Sequence, residues 1–331
     1  MIQKTYNCDL SGKNTFGMKV SCRYMLEYDS VADLFDIDFE EIQRPIKHIG
    51  AGSNLLFTDD FKGTILHSKV NFIEDLGDGL VSVGSGVIFD DFCLWAAQNG
   101  YWGPENLSHI PGEVGAAAVQ NIGAYGVEFK DIAKTIYCYD IEEEDLIHFD
   151  VSECGYAYRD SFFKNAGGRY IITHVVFSLS KNPCPKLEYG NLKDVLVGKE
   201  ISPQGIRNAV IEIRKAKLPE PSQMGSAGSF FKNPIVEVSD YERVAKVAER
   251  AVPHYDLPDG KVKIPAAFLI EQCGWKGRRS GNVAVYEKQP LVIVNYTGKA
   301  LPEEVIALEN KIRVSVREKF GIELMPEVEH I

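Results

Sequence analysis

Positive charge is scarce in this sequence. Its 331 residues hold 36 Lys and Arg against 47 Asp and Glu, a formal net charge of -11. General nucleic-acid binders carry a basic footprint, so that class is disfavoured, whereas an anionic small molecule needs only a local basic cluster. Paired cysteines are also missing. Cys8, Cys22, Cys93, Cys138, Cys154, Cys184 and Cys273 make an odd count with no C-x-x-C spacing. Neither a disulfide framework nor a zinc site is indicated, and reduced thiols in a cytoplasmic protein are expected. There is no run of about 18 apolar residues, and the opening stretch MIQKTYNCDLSGKNTFG has no apolar secretion core, so no membrane insertion is expected. The phosphate-loop pattern G-x-x-x-x-G-K-[ST] and the metalloprotease pattern HExxH are absent, and no metal site is predicted. The G-x-G at 50–52 lacks a third glycine and a clear βαβ setting, which argues against a Rossmann dinucleotide site.

What remains is ordinary globular material, 45% hydrophobic and 25% charged, long enough for two or three domains. The first 90 residues read as short strands and Gly-rich turns, with a hairpin around Gly77-Asp78-Gly79. DDFCLWAAQNG reads as a helix stopped by Gly100, and TIYCYDIEEEDLIHFD as strand, acidic tip, strand. PQGIRNAVIEIRKAKLP is helical, with Ile206, Val210 and Ile213 on one side. The texture changes near residue 219. Three helical patterns follow: DYERVAKVAERA, with Ser239 and Glu242 as its expected capping box; PAAFLIEQC, starting with Pro265 and stopping at Gly274; and a helix from Pro302 to Gly321 with Val305, Leu308, Ile312 and Val316 on one stripe. LVIVN lies between the last two as a strand. The C-terminal ELMPEVEHI is too short to be a unit and must dock on something.

Two stretches are rich in small residues: Gly50, Ala51, Gly52, Ser53 and Asn54, and IPGEVGAAAVQNIGAYG at 110–126. Small residues let backbone N–H groups come close to an anion, and two such loops could hold a pyrophosphate. The plainer alternative is a pair of tight turns. It is weaker for 110–126, a long neutral stretch with little of its own to pack against. Elsewhere, Arg159 reads locally as a surface arginine, Arg214, Lys215 and Lys217 as a helix C-terminal cluster complementing the dipole, Ser229 as a turn serine and Glu327 as a solvated tail carboxylate. The pentapeptide Ser-Phe-Phe-Lys-Asn occurs at 161–165 and again at 229–233. Its flanks share nothing, so it is not a duplicated unit.

Taken in order and spacing, NTFG (14–17), GAGSNLLF (50–57), IPGEVGAAAVQNIGAYG (110–126), YRDSFFK (158–164), KLPEP (217–221), GSAGSFFKNP (225–234) and PEVEHI (326–331) resemble the UDP-N-acetylenolpyruvoylglucosamine reductase family. LEYGNLKD at 187–194 resembles the tyrosine loop of its longer subtype. One departure stands out: related sequences carry Arg after Pro-Glu-Val, and here that residue is Glu329.

The resemblance implies an α+β protein. A two-subdomain FAD-binding domain of the vanillyl-alcohol-oxidase (PCMH) type would span 1–218, split near 70–75. A substrate domain would follow at 219–320, and a tail at 321–331 would dock back on the active site. It implies FAD and NADPH as cofactors and a UDP-sugar as the small-molecule substrate. A hydride would pass from NADPH to FAD and then to the enolpyruvyl methylene carbon, and the resulting enolate would be protonated. In this sequence the implied catalytic residues are Arg159, Ser229 and Glu327. FAD would meet Gly50, Ala51, Gly52, Ser53, Asn54, Ile110, Pro111, Gly112, Gln120, Asn121, Gly123, Ala124 and Arg214. Substrate would meet Tyr125, Tyr189, Lys217, Asn233 and Gln289. Another flavin oxidase or dehydrogenase of the same type, and a flavin-binding protein without turnover, are the alternatives.

Overall fold

Gly77, Asp78 and Gly79 all adopt positive φ (85, 51 and 82°), the left-handed backbone that a tight hairpin turn demands. The turn joins the strands Ile73–Gly77 and Leu80–Gly84. These strands form one edge of a five-stranded antiparallel sheet. Beyond them lie Tyr170–Ser178, Ala133–Asp140 and Asp145–Asp150, in that order. A second sheet precedes it in the chain. There Ser21–Tyr28, Phe61–Ser68 and Ile46–Ile49 run parallel, with Ile2–Asp9 at the edge. The computed structural model describes all 331 residues, and the change from one sheet to the other falls between Ser68 and Ile73.

The helices are α1 (Phe89–Gln98), α2 (Val114–Gln120), α3 (Phe162–Asn165), α4 (Leu192–Val195), α5 (Pro203–Lys217), α6 (Val238–Val247), α7 (Ala266–Gln272) and α8 (Pro302–Phe320). The chain divides into two units. One comprises Met1–Cys8, Ser21–Ala51 and Phe61–Arg214; the other comprises Asp9–Val20, Gly52–Asp60 and Lys215–Ile331. The change at 214/215 lies close to the expected boundary at 218. Segments 9–20 and 52–60, expected in the first domain, fold with the second unit instead.

In the first unit α1 and α2 supply apolar faces to the core under the antiparallel sheet, where Phe89, Phe92, Phe129 and Phe177 are fully buried. The Phe92 and Phe177 rings stack at 4.4 Å. Burying each such side chain contributes roughly 1.5–3 kcal/mol. In the second unit the strands Gly225–Ser229, Val292–Asn295, Val283–Val285 and Arg279–Ser280 form an antiparallel sheet in that order. Helix α8 buries the predicted stripe, Val305, Leu308, Ile312 and Val316, packs against α6 and α7, and ends at Gly321 with φ +68°.

Two local expectations fail. Helix α6 begins at Val238 with Glu237 as its extended N-cap, so Ser239 and Glu242 lie inside the helix and form no capping box. The strand Ile235–Val236 pairs with Val262–Lys263 and delivers the chain into the helix two residues early. The stretch 110–126 is also not all loop, since seven of its residues form α2. The tail does dock. Glu329–His330 pairs in parallel with Leu55–Leu56, and Thr58 donates to the Ile331 carbonyl through both N–H (2.7 Å) and hydroxyl (2.8 Å).

Candidate active site

The first unit builds its site around α2. Asn121 follows that helix in the left-handed region, at φ +46°, and is fully buried. Its amide donates to Ala157 O at 2.8 Å and Glu128 Oε2 at 3.1 Å, and its Oδ1 accepts the Lys130 N–H at 3.1 Å. The Asn121 side chain is therefore committed to the protein. It anchors the turn 157–160, closed by reciprocal Ala157–Asp160 bonds of 3.1 Å. That turn presents Arg159, itself at φ +54°, and Arg159 Nη2 donates to Gly123 O at 2.8 Å. A Cβ on Gly123 would lie 3.1 Å from Arg159 Nη1, so the glycine there lets the guanidinium approach. Gln120 is likewise engaged, accepting from Lys164 Nζ at 2.9 Å.

A second chain of contacts fixes Arg214. On α5, Arg207 and Arg214 lie two turns apart on one face. Arg207 pairs with Asp90 at the start of α1. Burial alone would raise the Asp90 pKa, but Arg207 and the His109 N–H (2.5 Å) hold it below the usual carboxylate range. His109 is thereby set at φ +60°, and its carbonyl accepts from Arg214 Nε at 3.1 Å. Arg214's remaining N–H groups find no acceptor in the protein. Withdrawal from water pulls its pKa down, against the pull of Tyr125 and Asp90. A cation held half-buried with most of its donors unspent fits an anionic ligand. Around it Ile110, Gly112, Gly123, Ala124 and Tyr125 are neutral and only partly covered, while Pro111 is exposed. The residues present thus suit a large ligand with an anionic group, as FAD is.

Tyr189 is 40% exposed and meets Tyr125 edge to face at 6.3 Å between ring centres. Sequence reasoning passed over the residue that ties their segments together. Asn106 is fully buried and donates to both Tyr125 O (2.8 Å) and Lys186 O (2.7 Å). Its place four residues before the 110–126 stretch was the available signal.

In the second unit, Ser229 ends the strand Gly225–Ser229 after a register shift against Val292–Asn295, with Gly228 at φ +71°. Its hydroxyl makes no hydrogen bond within the protein, and the residue is half-buried. The next residue, Phe230, accepts the Glu327 N–H at 2.8 Å through its carbonyl, and Phe231 bridges to Pro326. The tail segment carrying Glu327 is thus laid alongside Ser229. Asn54 completes this arrangement, donating to Glu327 O at 3.0 Å and accepting the Glu329 N–H at 3.0 Å. Its amide nitrogen thus holds the tail. Glu329 joins the tail strand through its backbone, so that pairing does not depend on which side chain stands there.

Gly52, in the same loop, tolerates no side chain, because a Cβ would fall 2.2 Å from Lys13 O. Ser53 is half-buried beside it. Asn233 Oδ1 accepts the Ala266 N–H at 2.9 Å, capping α7. Lys217 is exposed at the end of α5, and Gln289 sits in the turn before Val292, accepting from Leu291 N–H at 3.5 Å.

Residues 220–331 match the family model for the C-terminal domain of UDP-N-acetylenolpyruvoylglucosamine reductase, and residues 38–141 match that of an FAD-binding domain. A reductase of that name from Bacteroides fragilis is 46% identical over 329 residues, covering 97% of this chain and 98% of the relative. One from Porphyromonas gingivalis is 45% identical, with 97% of each chain covered. The chain belongs to the UDP-N-acetylenolpyruvoylglucosamine reductase family. The crystal structure of such a reductase from Thermus caldophilus matches in fold over 100% of this chain and 98% of its own, with a TM-score of 0.70 at 22% identity. Membership in the family makes the protein an FAD-dependent oxidoreductase. No helix is long and apolar enough to cross a membrane.

Proposed function

We propose a division of labour within the family's reaction, the reduction of UDP-N-acetylenolpyruvoylglucosamine in peptidoglycan synthesis. Ser229 is the proton donor, Arg159 the carboxylate partner, and Glu327 the group that orients or polarises the enolate region. FAD, when bound, supplies the hydride chemistry, taking a hydride from NADPH and delivering one to the enolpyruvyl methylene carbon. The carbon next to the substrate carboxylate is then left as an enolate that must gain a proton.

The single observation carrying this reading is the uncommitted Ser229 hydroxyl beside the Glu327 segment. A buried or half-buried hydroxyl is normally hydrogen-bonded. One left without a partner at a strand end is available to a ligand, and its O–H can donate to an enolate carbon. No histidine couple attends it, so it is not set up as a nucleophile. Arg159 can present two N–H groups to a carboxylate, offsetting the negative charge that develops there. Gly50, Ala51, Gly52, Ser53, Ile110, Pro111, Gly112, Gly123, Ala124 and Arg214 would hold FAD, Arg214 through its spare donors. For Asn54, Gln120 and Asn121 the contribution is mainly structural, through the segments they anchor. Lys217, Asn233, Gln289, Tyr125 and Tyr189 take the UDP-sugar, whose nucleotide supplies binding energy away from the reacting carbon. We place the reaction in the cytoplasm, with NADPH and the UDP-sugar using the flavin in turn.

The test is the visible spectrum under anaerobic conditions. The purified yellow protein should bleach with NADPH and regain colour when UDP-N-acetylglucosamine enolpyruvate is added. Prompt recolouring in air with no response to the UDP-sugar would point to a flavin oxidase. Failure to bleach would point to a flavin-binding protein without turnover.

A further inference from the structure

Three titratable side chains are buried together in the first unit, and nothing in the reaction above uses them. His67 lies on the central strand Phe61–Ser68, in register with Glu27 on one neighbouring strand and Ile49 on the other. Its Nδ1 is 2.9 Å from Glu27 Oε1, and its Nε2 is 3.0 Å from Glu113 Oε1. The three side chains are 14, 10 and 8% exposed. When both carboxylates are ionised their oxygens only accept, so both ring nitrogens carry hydrogen and His67 is then an imidazolium. Lys69 Nζ adds a second cation, 3.2 Å from Glu27 Oε2, and the four charges balance. Lys47, on the strand Ile46–Ile49, is a further cation beside this group, and the neighbouring polar side chains include His48, Tyr28, Ser68 and Ser85. The His48 pKa is pushed down to about 3 by burial and by the charges of His67 and Lys47. It bonds to the Tyr28 hydroxyl at 2.9 Å, whose pKa burial raises. The Ser68 and Ser85 hydroxyls bond to each other at 2.7 Å.

The position of Glu113 gives this cluster a consequence. Glu113 occupies the N-cap position of α2, its side chain making no capping bond, and directly follows Ile110–Gly112. Gly50 follows Ile49 out of the sheet and packs on Glu113 so closely that a Cβ would lie 3.1 Å from its Oε2 and 3.2 Å from the Ala116 Cβ. One carboxylate therefore touches one of the small-residue stretches and belongs to the other. A carboxylate there opposes an anionic ligand unless its charge is cancelled.

We propose that His67 is a positioning residue for FAD. As an imidazolium it fixes Glu113 beneath Gly50 and cancels its charge, so that the stretches beginning at Gly50 and Ile110 are spaced and electrostatically prepared for the pyrophosphate. The proposal rests on the assignment of those stretches to FAD. Losing the His67 proton exposes the Glu113 charge, so FAD affinity falls as pH rises through the His67 titration. By linkage, bound FAD raises the pH at which His67 titrates.

The experiment is titration of the apoprotein with FAD, followed by flavin fluorescence, between pH 6 and 9, with the His67 ring resonance read in histidine-labelled protein. Wild type should weaken by about tenfold as His67 deprotonates, the size of one uncancelled charge near the ligand. Glu113→Gln should bind at pH 7 within a few-fold of wild type and lose that pH dependence. His67→Gln should bind about tenfold more weakly at pH 7, with no further change up to pH 9. A neutral His67 ring at pH 7, a titration midpoint unmoved by FAD, or an unchanged FAD Kd in His67→Gln would overturn the proposal. The ring resonance needs only wild-type protein and decides the matter if a variant fails to fold. Absence of FAD binding by wild type at every pH would instead remove the FAD assignment itself, and this proposal with it.

Discussion

The same five residues, Ser-Phe-Phe-Lys-Asn, are put to opposite uses in the two units. In the first copy Ser161 is 1% exposed. Its hydroxyl donates to Val119 O at 2.7 Å and accepts the Lys164 N–H at 3.2 Å, capping α3. In the second, Ser229 is half-buried at a strand end, and its hydroxyl has no partner within the protein. The last residue differs in the same way. Asn165 closes its own turn on Asp160 and Ser161, while Asn233 reaches across to cap α7. The phenylalanines are less divided: Phe163, Phe230 and Phe231 are all buried. What separates the copies is backbone state and neighbours, since a helix N-terminus saturates a serine hydroxyl and a strand end after a left-handed glycine leaves it open.

Substitutions can break this contrast. The largest effect is expected from Ser229→Ala, with turnover of the UDP-sugar falling by roughly 100-fold or more in steady-state assays, the size of a lost general acid. Arg159→Ala should be of the same order. Arg159→Lys should rescue it poorly, because an ammonium cannot reproduce the guanidinium fork; near-complete rescue would show that charge alone matters. Ser161→Ala should leave turnover within a few-fold of wild type yet cost about 1–2 kcal/mol in urea unfolding, from a lost cap and an unpaired Val119 carbonyl. Large loss of turnover at unchanged stability would reverse the roles assigned to the two serines.

The smallest effect concerns the tail. His330 bonds to buried Glu309 at 2.9 Å, which raises its pKa; Arg313, 3.6 Å from the same carboxylate, works against the rise. A raised histidine pKa contributes stability that is full below the unfolded value of about 6.5 and is lost as pH rises through the folded value. The melting temperature should therefore decline over that range by on the order of 1 °C more in wild type than in His330→Asn. Parallel curves for the two proteins would remove the His330 contribution.

Much of the architecture was legible. The stripe of α8, its Pro302 start and Gly321 stop, the Gly77-Asp78-Gly79 hairpin and the end of α5 all follow from local rules, because each depends on residues within a few turns. Helix α2 was not, since Val-Gly-Ala-Ala-Ala-Val-Gln has no polar face to give it a period. The membership of 9–20 and 52–60 in the second unit was hidden for another reason. It depends on partners such as Leu55 with Glu329 and Thr15 with Ser226 (2.7 Å), which are distant in sequence. The site divides similarly. Ser229 and Glu327 came from resemblance alone, because local sequence made them a turn serine and a tail carboxylate. The side chains of Asn121 and Asn54 turn inward to hold Arg159's turn and Glu327's segment, which no local pattern announces. The Glu27–His67–Glu113 cluster left no trace, its members being spread over 86 positions and joined only by the fold.

The contrast between the serines is tested most directly by stopped-flow flavin absorbance on Ser161→Ala and Ser229→Ala side by side. The account predicts that NADPH bleaches the flavin at near wild-type rates in both, and that only Ser229→Ala recolours slowly, by about 100-fold or more, when the enolpyruvyl UDP-sugar is added. Equal slowing of both half-reactions in Ser229→Ala, or wild-type recolouring, would contradict it.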